Sequence, residues 1–177
     1  MSILFLVGAR ASGKTTIGKA LAKKLALPFA DTDQYLLGKA GRTVNQIVAE
    51  EGWPGFRARE SAALRQVVDA HAAGCVVSTG GGMVLAEENR ELMRQCGMVV
   101  FLDAPVQVLA ERLARNPLSS QRPSLTGKGL IEEISQVLDD RRPLYEASAH
   151  HIVDASRPLA VVCQHIAELW RGHAGNS

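Results

Sequence analysis

Residues 3–15 read Ile3-Leu4-Phe5-Leu6-Val7-Gly8-Ala9-Arg10-Ala11-Ser12-Gly13-Lys14-Thr15. The first five are apolar without a break, as in a strand buried on both faces. From Lys14 the period changes: Ile17, Leu21, Ala22 and Leu25 fall on one side of a helix over Lys14–Leu25. Between the two lies the pattern Gly-x-x-x-x-Gly-Lys-Thr, Gly8–Thr15, in the strand–loop–helix setting that a phosphate cradle requires. Glycine lets backbone N–H groups turn inward onto phosphate oxygens, and the helix N-terminus adds a positive field. On this reading Ala11, Ser12 and Gly13 form the cradle and Lys14 reaches the β- and γ-phosphates of a nucleoside triphosphate. Thr15 offers its hydroxyl to Mg²⁺, and Thr16 contacts phosphate. A chance glycine turn is the bland alternative, and the combination of motif and setting weighs against it.

The rest of the chain repeats this alternation. Pro28–Ala30, Cys75–Thr79, Met98–Leu102 and His151–Asp154 read as further short strands. Thr43–Glu51, Phe56–Ala73, Glu87–Gln95, Val106–Arg115, Leu130–Glu146 and Leu159–Arg171 read as helices. Apolar strands alternating with helices predict an α/β fold, a parallel sheet with helices on both faces. No internal repeat or boundary divides residues 1–177, which read as one domain. A loop at about 112–128, rich in Pro, Gly and Ser, is long enough to be a lid, and a disordered tail is expected from about residue 172.

Composition narrows the function. Of the 177 residues 46% are hydrophobic and 21% charged, and the net charge of +2 argues against nucleic-acid or membrane partners. No apolar run reaches membrane-spanning length, and the first residues lack a basic leader. Cys75, Cys96 and Cys163 are odd in number and widely spaced, which favours neither disulfides nor zinc and fits a reducing cytoplasm. No segment shows an obvious extra apolar face, so a monomer is expected.

A nucleoside triphosphate needs a metal, and the metal needs oxygen ligands. Asp31-Thr32-Asp33 follows the second strand, where ligands of a parallel sheet gather. Strand alternation would put both acids on one side, Asp31 near Mg²⁺ and Asp33 at an acceptor hydroxyl. A helix N-cap is the alternative for Asp33. Phosphoryl transfer also calls for positive charge. The candidates lie in Phe56-Arg57-Ala58-Arg59-Glu60, Gln121-Arg122-Pro123 and Arg141-Arg142-Pro143-Leu144-Tyr145. Arg59 and Arg142 read as surface residues, and Arg57 could equally be a helical ion pair with Glu60. Trp53 and Phe56 read as core, with one of them a candidate wall of the acceptor pocket. Asp103, His150 and His151 read as structural. The run Val76-Val77-Ser78-Thr79-Gly80-Gly81-Gly82 ends a buried strand on three glycines. Either the backbone there takes angles closed to other residues, or something comes very close to it.

The segments GARASGKTT, DTD, WPGFRARE, STGGG, RPSLTG and RRPLY, in this order, resemble the shikimate kinase family, in detail its type II bacterial form. The resemblance spans roughly residues 3–170. It implies a P-loop kinase fold with a five-stranded parallel sheet. It also implies ATP-dependent phosphorylation of the 3-hydroxyl of shikimate on the way to aromatic amino acids. By position, Asp33, Arg57, Arg141, Gly80, Gly81 and Gly82 match the residues that bind shikimate, with Asp33 the base or hydroxyl-orienting group. Thr15 and Asp31 match the Mg²⁺ positions, and Arg122 the lid arginine over the phosphates. Arg115 is similar to an adenine-side contact of some members, and Ala155-Ser156-Arg157-Pro158 to the loop that packs on adenine. The usual acidic end of a metal-binding strand is missing after Val77, which leaves that task to Asp31. Competing readings are a gluconate kinase, a nucleoside monophosphate kinase, and a non-catalytic ATP-binding protein.

Overall fold

The computed structural model describes residues 3–115 and 129–175. Strands β1 (Ile3–Val7), β2 (Phe29–Asp31), β3 (Val76–Ser78), β4 (Gly97–Asp103) and β5 (His151–Asp154) form one parallel sheet in the order β2-β3-β1-β4-β5. Helices α1 (Lys14–Leu25), α2 (Thr32–Ala40), α3 (Val44–Ala70), α4 (Glu87–Cys96), α5 (Val106–Ala114), α6 (Leu130–Ser148) and α7 (Leu159–Gly175) surround it.

The unbroken apolar strands are explained by two cores. Ile3, Phe5, Val7, Val77, Val99 and Phe101 point to one face and meet Leu64 and Val67 of α3, Met93 of α4, Leu109 of α5 and Leu138 of α6. Leu4, Leu6, Val76, Met98, Val100 and Leu102 point to the other and meet Ile17 and Leu21 of α1 and Val162 and Ile166 of α7. Each such side chain contributes about 1.5–3 kcal/mol on burial, so both faces hold the strand register. The chain leaves β1 for α1 on one face and β3 for α4 on the other. A crevice therefore opens beyond the carboxyl ends of these two neighbouring strands.

Two expectations change and a third holds. The residues after Asp31 form helix α2, because Asp31 caps it: its Oδ1 accepts from the N–H groups of Asp33 (3.1 Å) and Gln34 (3.2 Å). Asp33 is therefore in the first helical turn, and strand alternation is not what sets its direction. The two helices expected on either side of Gly52 are present as the two arms of α3, since Gly52 between them takes the non-helical angles φ 69° and ψ 177° and Pro54 follows. Residues from Gly172 do not trail off: α7 continues to Gly175, and the His173 ring lies 6.3 Å from that of Trp170 and 5.8 Å from that of His150.

α2 and α3 enclose a small third core of Leu36, Val44, Ile47, Phe56 and Ala63, with Trp53 packed against it. The structural reading of Asp103 agrees with its contacts, whereas Arg142, read as a surface residue, is half-buried as its partner. Arg142 binds Asp103 through two 2.8 Å hydrogen bonds, tying α6 to the end of β4, and Arg59 binds Glu51. Cys75 is buried, and its burial pushes the thiol up to about 11.

His150 joins β4: the Val99 N–H donates to its Nδ1 at 2.9 Å, so that nitrogen must be unprotonated. Burial, chiefly, and the charges of Arg94, His173 and His151 hold this imidazole below its ordinary value. The unfolded chain thus binds the proton more readily. The contribution to stability is present above the unfolded value of about 6.5 and is lost as pH falls through the folded value. The melting temperature should decline on acidification below about pH 6.5, with a shallower slope in His150→Asn. Equal slopes in the two proteins would place the acid sensitivity elsewhere.

Candidate active site

The cradle is built as its sequence requires. Gly8 has φ 147°, Ala11 φ 62° and Gly13 φ 97°, so the chain doubles back before α1. At Gly8 a Cβ would sit 2.7 Å from the Leu102 carbonyl oxygen, which leaves glycine alone able to pass there. Gly13 caps α1 with no side-chain hydrogen bond, and the first turn carries no acid. The N-terminus of α1 is thus left without a side-chain cap of its own, as an anion site needs. Lys14 is 9% exposed, and its Nζ donates to the Gly8 (2.8 Å) and Ala9 (2.7 Å) carbonyls across the mouth of the loop.

Beside the cradle, Thr15 Oγ1 donates to Asp31 Oδ2 at 2.8 Å and lies 3.4 Å from Ser78 Oγ. Ser78 pairs in register with Leu6 of β1 and Asp31 of β2, which explains how three oxygen-bearing side chains from three elements converge. The sequence reading noted Ser78 only as a missing acid. The register is what brings its hydroxyl to the site.

The glycine run faces the cradle: a Cβ on Gly81 would stand 3.6 Å from both the Arg10 nitrogen and the Gly8 oxygen. None of Gly80, Gly81 and Gly82 has a positive φ, so backbone freedom is not the reason for them. Close approach is. A Cβ on Gly80 would come within 2.6 Å of Asp33 Oδ1 and of Glu60 Oε1, and one on Gly82 within 1.9 Å of an Arg57 nitrogen. Two of the three glycines thus make room for the side chains of Asp33 and Arg57. Arg57 is braced by its ion pair with Glu60, which is 3% exposed, and by the rings of Trp53 and Phe56 at 5.2 and 5.6 Å. The ion-pair reading of Arg57 therefore holds, and the pair orients its guanidinium beside Gly82. From the other side Arg141 of α6 donates to the Gly81 carbonyl at 3.1 Å.

One cavity of about 650 Å³ contains these groups. Lys14, Thr15, Thr16, Asp31, Asp33, Arg57, Gly81, Gly82 and Arg141 line it, with Ala11 and Gly13 of the cradle and Arg157 after β5. Trp53 and Phe56 both form part of its wall. Ser12 and Gly80 are buried behind that surface. Arg115 follows α5, pairs loosely with Glu111 at 3.6 Å, and is not among the lining residues. One turn earlier, within the last turn of α5 and not in a loop, Arg112 does line the cavity. It donates to the Ala155 carbonyl at 2.8 Å and to those of Ala11 and Ser12 at 3.4 Å. Arg122 lies outside the described residues.

A family model described as shikimate kinase matches residues 10–170. The chain belongs to the shikimate kinase family. It is a kinase, and phosphorylation of shikimate, a step of the shikimate pathway, is the activity that membership carries. Over 162 residues the chain is 56% identical to shikimate kinase 2 of Syntrophotalea carbinolica, covering 91% of its own length and 92% of that protein. The shikimate kinase of Acinetobacter baumannii, solved in complex with shikimate, matches with a TM-score of 0.87 at 34% identity, over 96% of this chain and 92% of that one. A gluconokinase from Sinorhizobium meliloti matches with a TM-score of 0.64 at 24% identity, over 99% of this chain and 97% of that one, a likeness of fold alone.

Proposed function

We propose that the two halves of this cavity hold ATP and shikimate, and that the γ-phosphoryl group passes to the 3-hydroxyl. The observation that carries this is the convergence of Asp33, Arg57 and Arg141 on one glycine run facing the phosphate cradle. Shikimate offers one carboxylate and three hydroxyls. Guanidinium groups match a carboxylate in a two-pronged fork, which assigns Arg57 and Arg141 to it. Asp33, seated against Gly80, takes the reacting hydroxyl, orients it and accepts its proton. Lys14 and the first turn of α1 hold the β- and γ-phosphates, with Thr16 beside them. Arg112, Ala155 and Arg157 flank the adenosine end.

Thr15 and Asp31 fit a magnesium ion, because a hydroxyl and a carboxylate oxygen stand 2.8 Å apart and a hard cation takes oxygen ligands. Bound there, one Mg²⁺ would offset phosphate charge. Asp31→Asn keeps an oxygen for the α2 cap but removes the charge. It should raise the Mg²⁺ concentration needed for half-maximal rate while leaving the melting temperature nearly unchanged. An unaltered Mg²⁺ dependence would take Asp31 out of this role.

The reading places the enzyme as a monomer in the cytoplasm, where ATP and reduced thiols occur together. No helix among the described residues is long and apolar enough to cross a membrane. The deciding experiment is ADP release measured with shikimate, gluconate and nucleoside monophosphates in turn. Release with shikimate alone is expected, and release only with one of the others would reject the acceptor.

A further inference from the structure

Tyr145 is the largest fully buried side chain of the described residues, yet its hydroxyl reaches the acceptor half of the cavity. It lies one helical turn beyond Arg141 on α6, so the two share a face. The hydroxyl donates to the Gly81 carbonyl at 2.6 Å, the same oxygen to which Arg141 donates at 3.1 Å. Phenol and guanidinium thus converge on one carbonyl oxygen as their shared acceptor. Behind it the ring stacks on Phe101 of β4 with centroids 4.9 Å apart and planes 21° from parallel. A ring clamped in this way has little freedom to reorient.

We infer that Tyr145 is a positioning residue for the acceptor: it holds Arg141 and the Gly81 peptide in the geometry that receives the carboxylate. The inference rests on the proposed seat of shikimate between Arg57 and Arg141. Burial raises the phenol above its ordinary value, so it stays a donor across the working pH range. A carbonyl oxygen can only accept, so the Tyr145 proton goes to Gly81. Gly81 is a different matter from its neighbours. A Cβ there would make only ordinary contacts, none nearer than 3.6 Å, and what the structure fixes there is the direction of its carbonyl.

Tyr145→Phe deletes the hydroxyl alone and leaves the stack on Phe101. With the Gly81 oxygen held by Arg141 only, KM for shikimate should rise about tenfold, while KM for ATP stays as in the parent enzyme. Ile166→Val, a buried change on the opposite face of the sheet, serves as a control for lost stability. It should lower the melting temperature and leave both KM values alone. A Tyr145→Phe enzyme with unchanged KM for shikimate, or with both KM values raised equally, would overturn the inference. Shikimate turnover by the parent protein tests the acceptor assignment separately, so the two ideas can fail independently.

Discussion

Asp33→Asn should lower kcat by about 10²- to 10⁴-fold, the range expected when a positioned proton acceptor is lost. ATP binding should be largely kept, because the phosphates are held by Lys14 and the N–H groups at the start of α1. The substitution is nearly isosteric, so any fall in rate cannot be laid to lost volume. It does have one structural cost. Asp33 sits in the first turn of α2, where a negative charge is favoured by the helix dipole by about 0.3–1 kcal/mol. That loss is small beside the catalytic effect and would appear as a slight drop in melting temperature. Steady-state rates, ATP affinity and a thermal melt on the same preparation separate the terms. Normal kcat in a folded Asp33→Asn enzyme would remove Asp33 from the proton's path and leave it as a helix-terminal charge.

How Asp33 reaches the cavity also shows what the sequence could and could not tell. The cradle was legible because Gly8, Gly13, Lys14 and Thr15 lie within one continuous stretch, and the flanking periods mark a strand and a helix. The sheet was legible because Ile3–Val7 and Met98–Leu102 are apolar on both alternating faces. The pairing of Asp31 and Asp33 in one site was foreseen for the wrong reason. Asp31 ends β2 and caps α2, and the helix swings Asp33 round. A cap is a local competition between strand and helix that three residues of sequence leave open. Arg112 and Ser78 were missed for a different reason. Their roles depend on neighbours more than 40 residues away, reached through strand register and helix placement. Tyr145 had a sequence signal, since four residues on from Arg141 in a helix means the same face.

The glycine run yields the sharpest test, because Gly82 and Gly81 should behave differently. Gly82→Ala should raise KM for shikimate about 10- to 100-fold, the cost of losing hydrogen bonds to a charged group. The new methyl carbon would occupy the place of the Arg57 guanidinium, which must move. The obstructing atoms are the end of a flexible side chain, so the fold survives and only the position of the charge is lost. Arg57 has little choice of where to go, being held by Glu60 and stacked near Trp53 and Phe56. Gly81→Ala, by contrast, meets nothing nearer than 3.6 Å and has no positive φ to strain. Its effect on either substrate should be small unless the methyl group itself blocks shikimate. Shikimate and ATP titrations on both variants, with Arg57→Ala alongside, decide the matter. If Gly82→Ala and Arg57→Ala raise KM for shikimate alike and the double substitution adds nothing further, the glycine exists to admit the arginine. Additive losses would mean that Gly82 serves the acceptor through its own backbone, and that the approach of Arg57 is incidental.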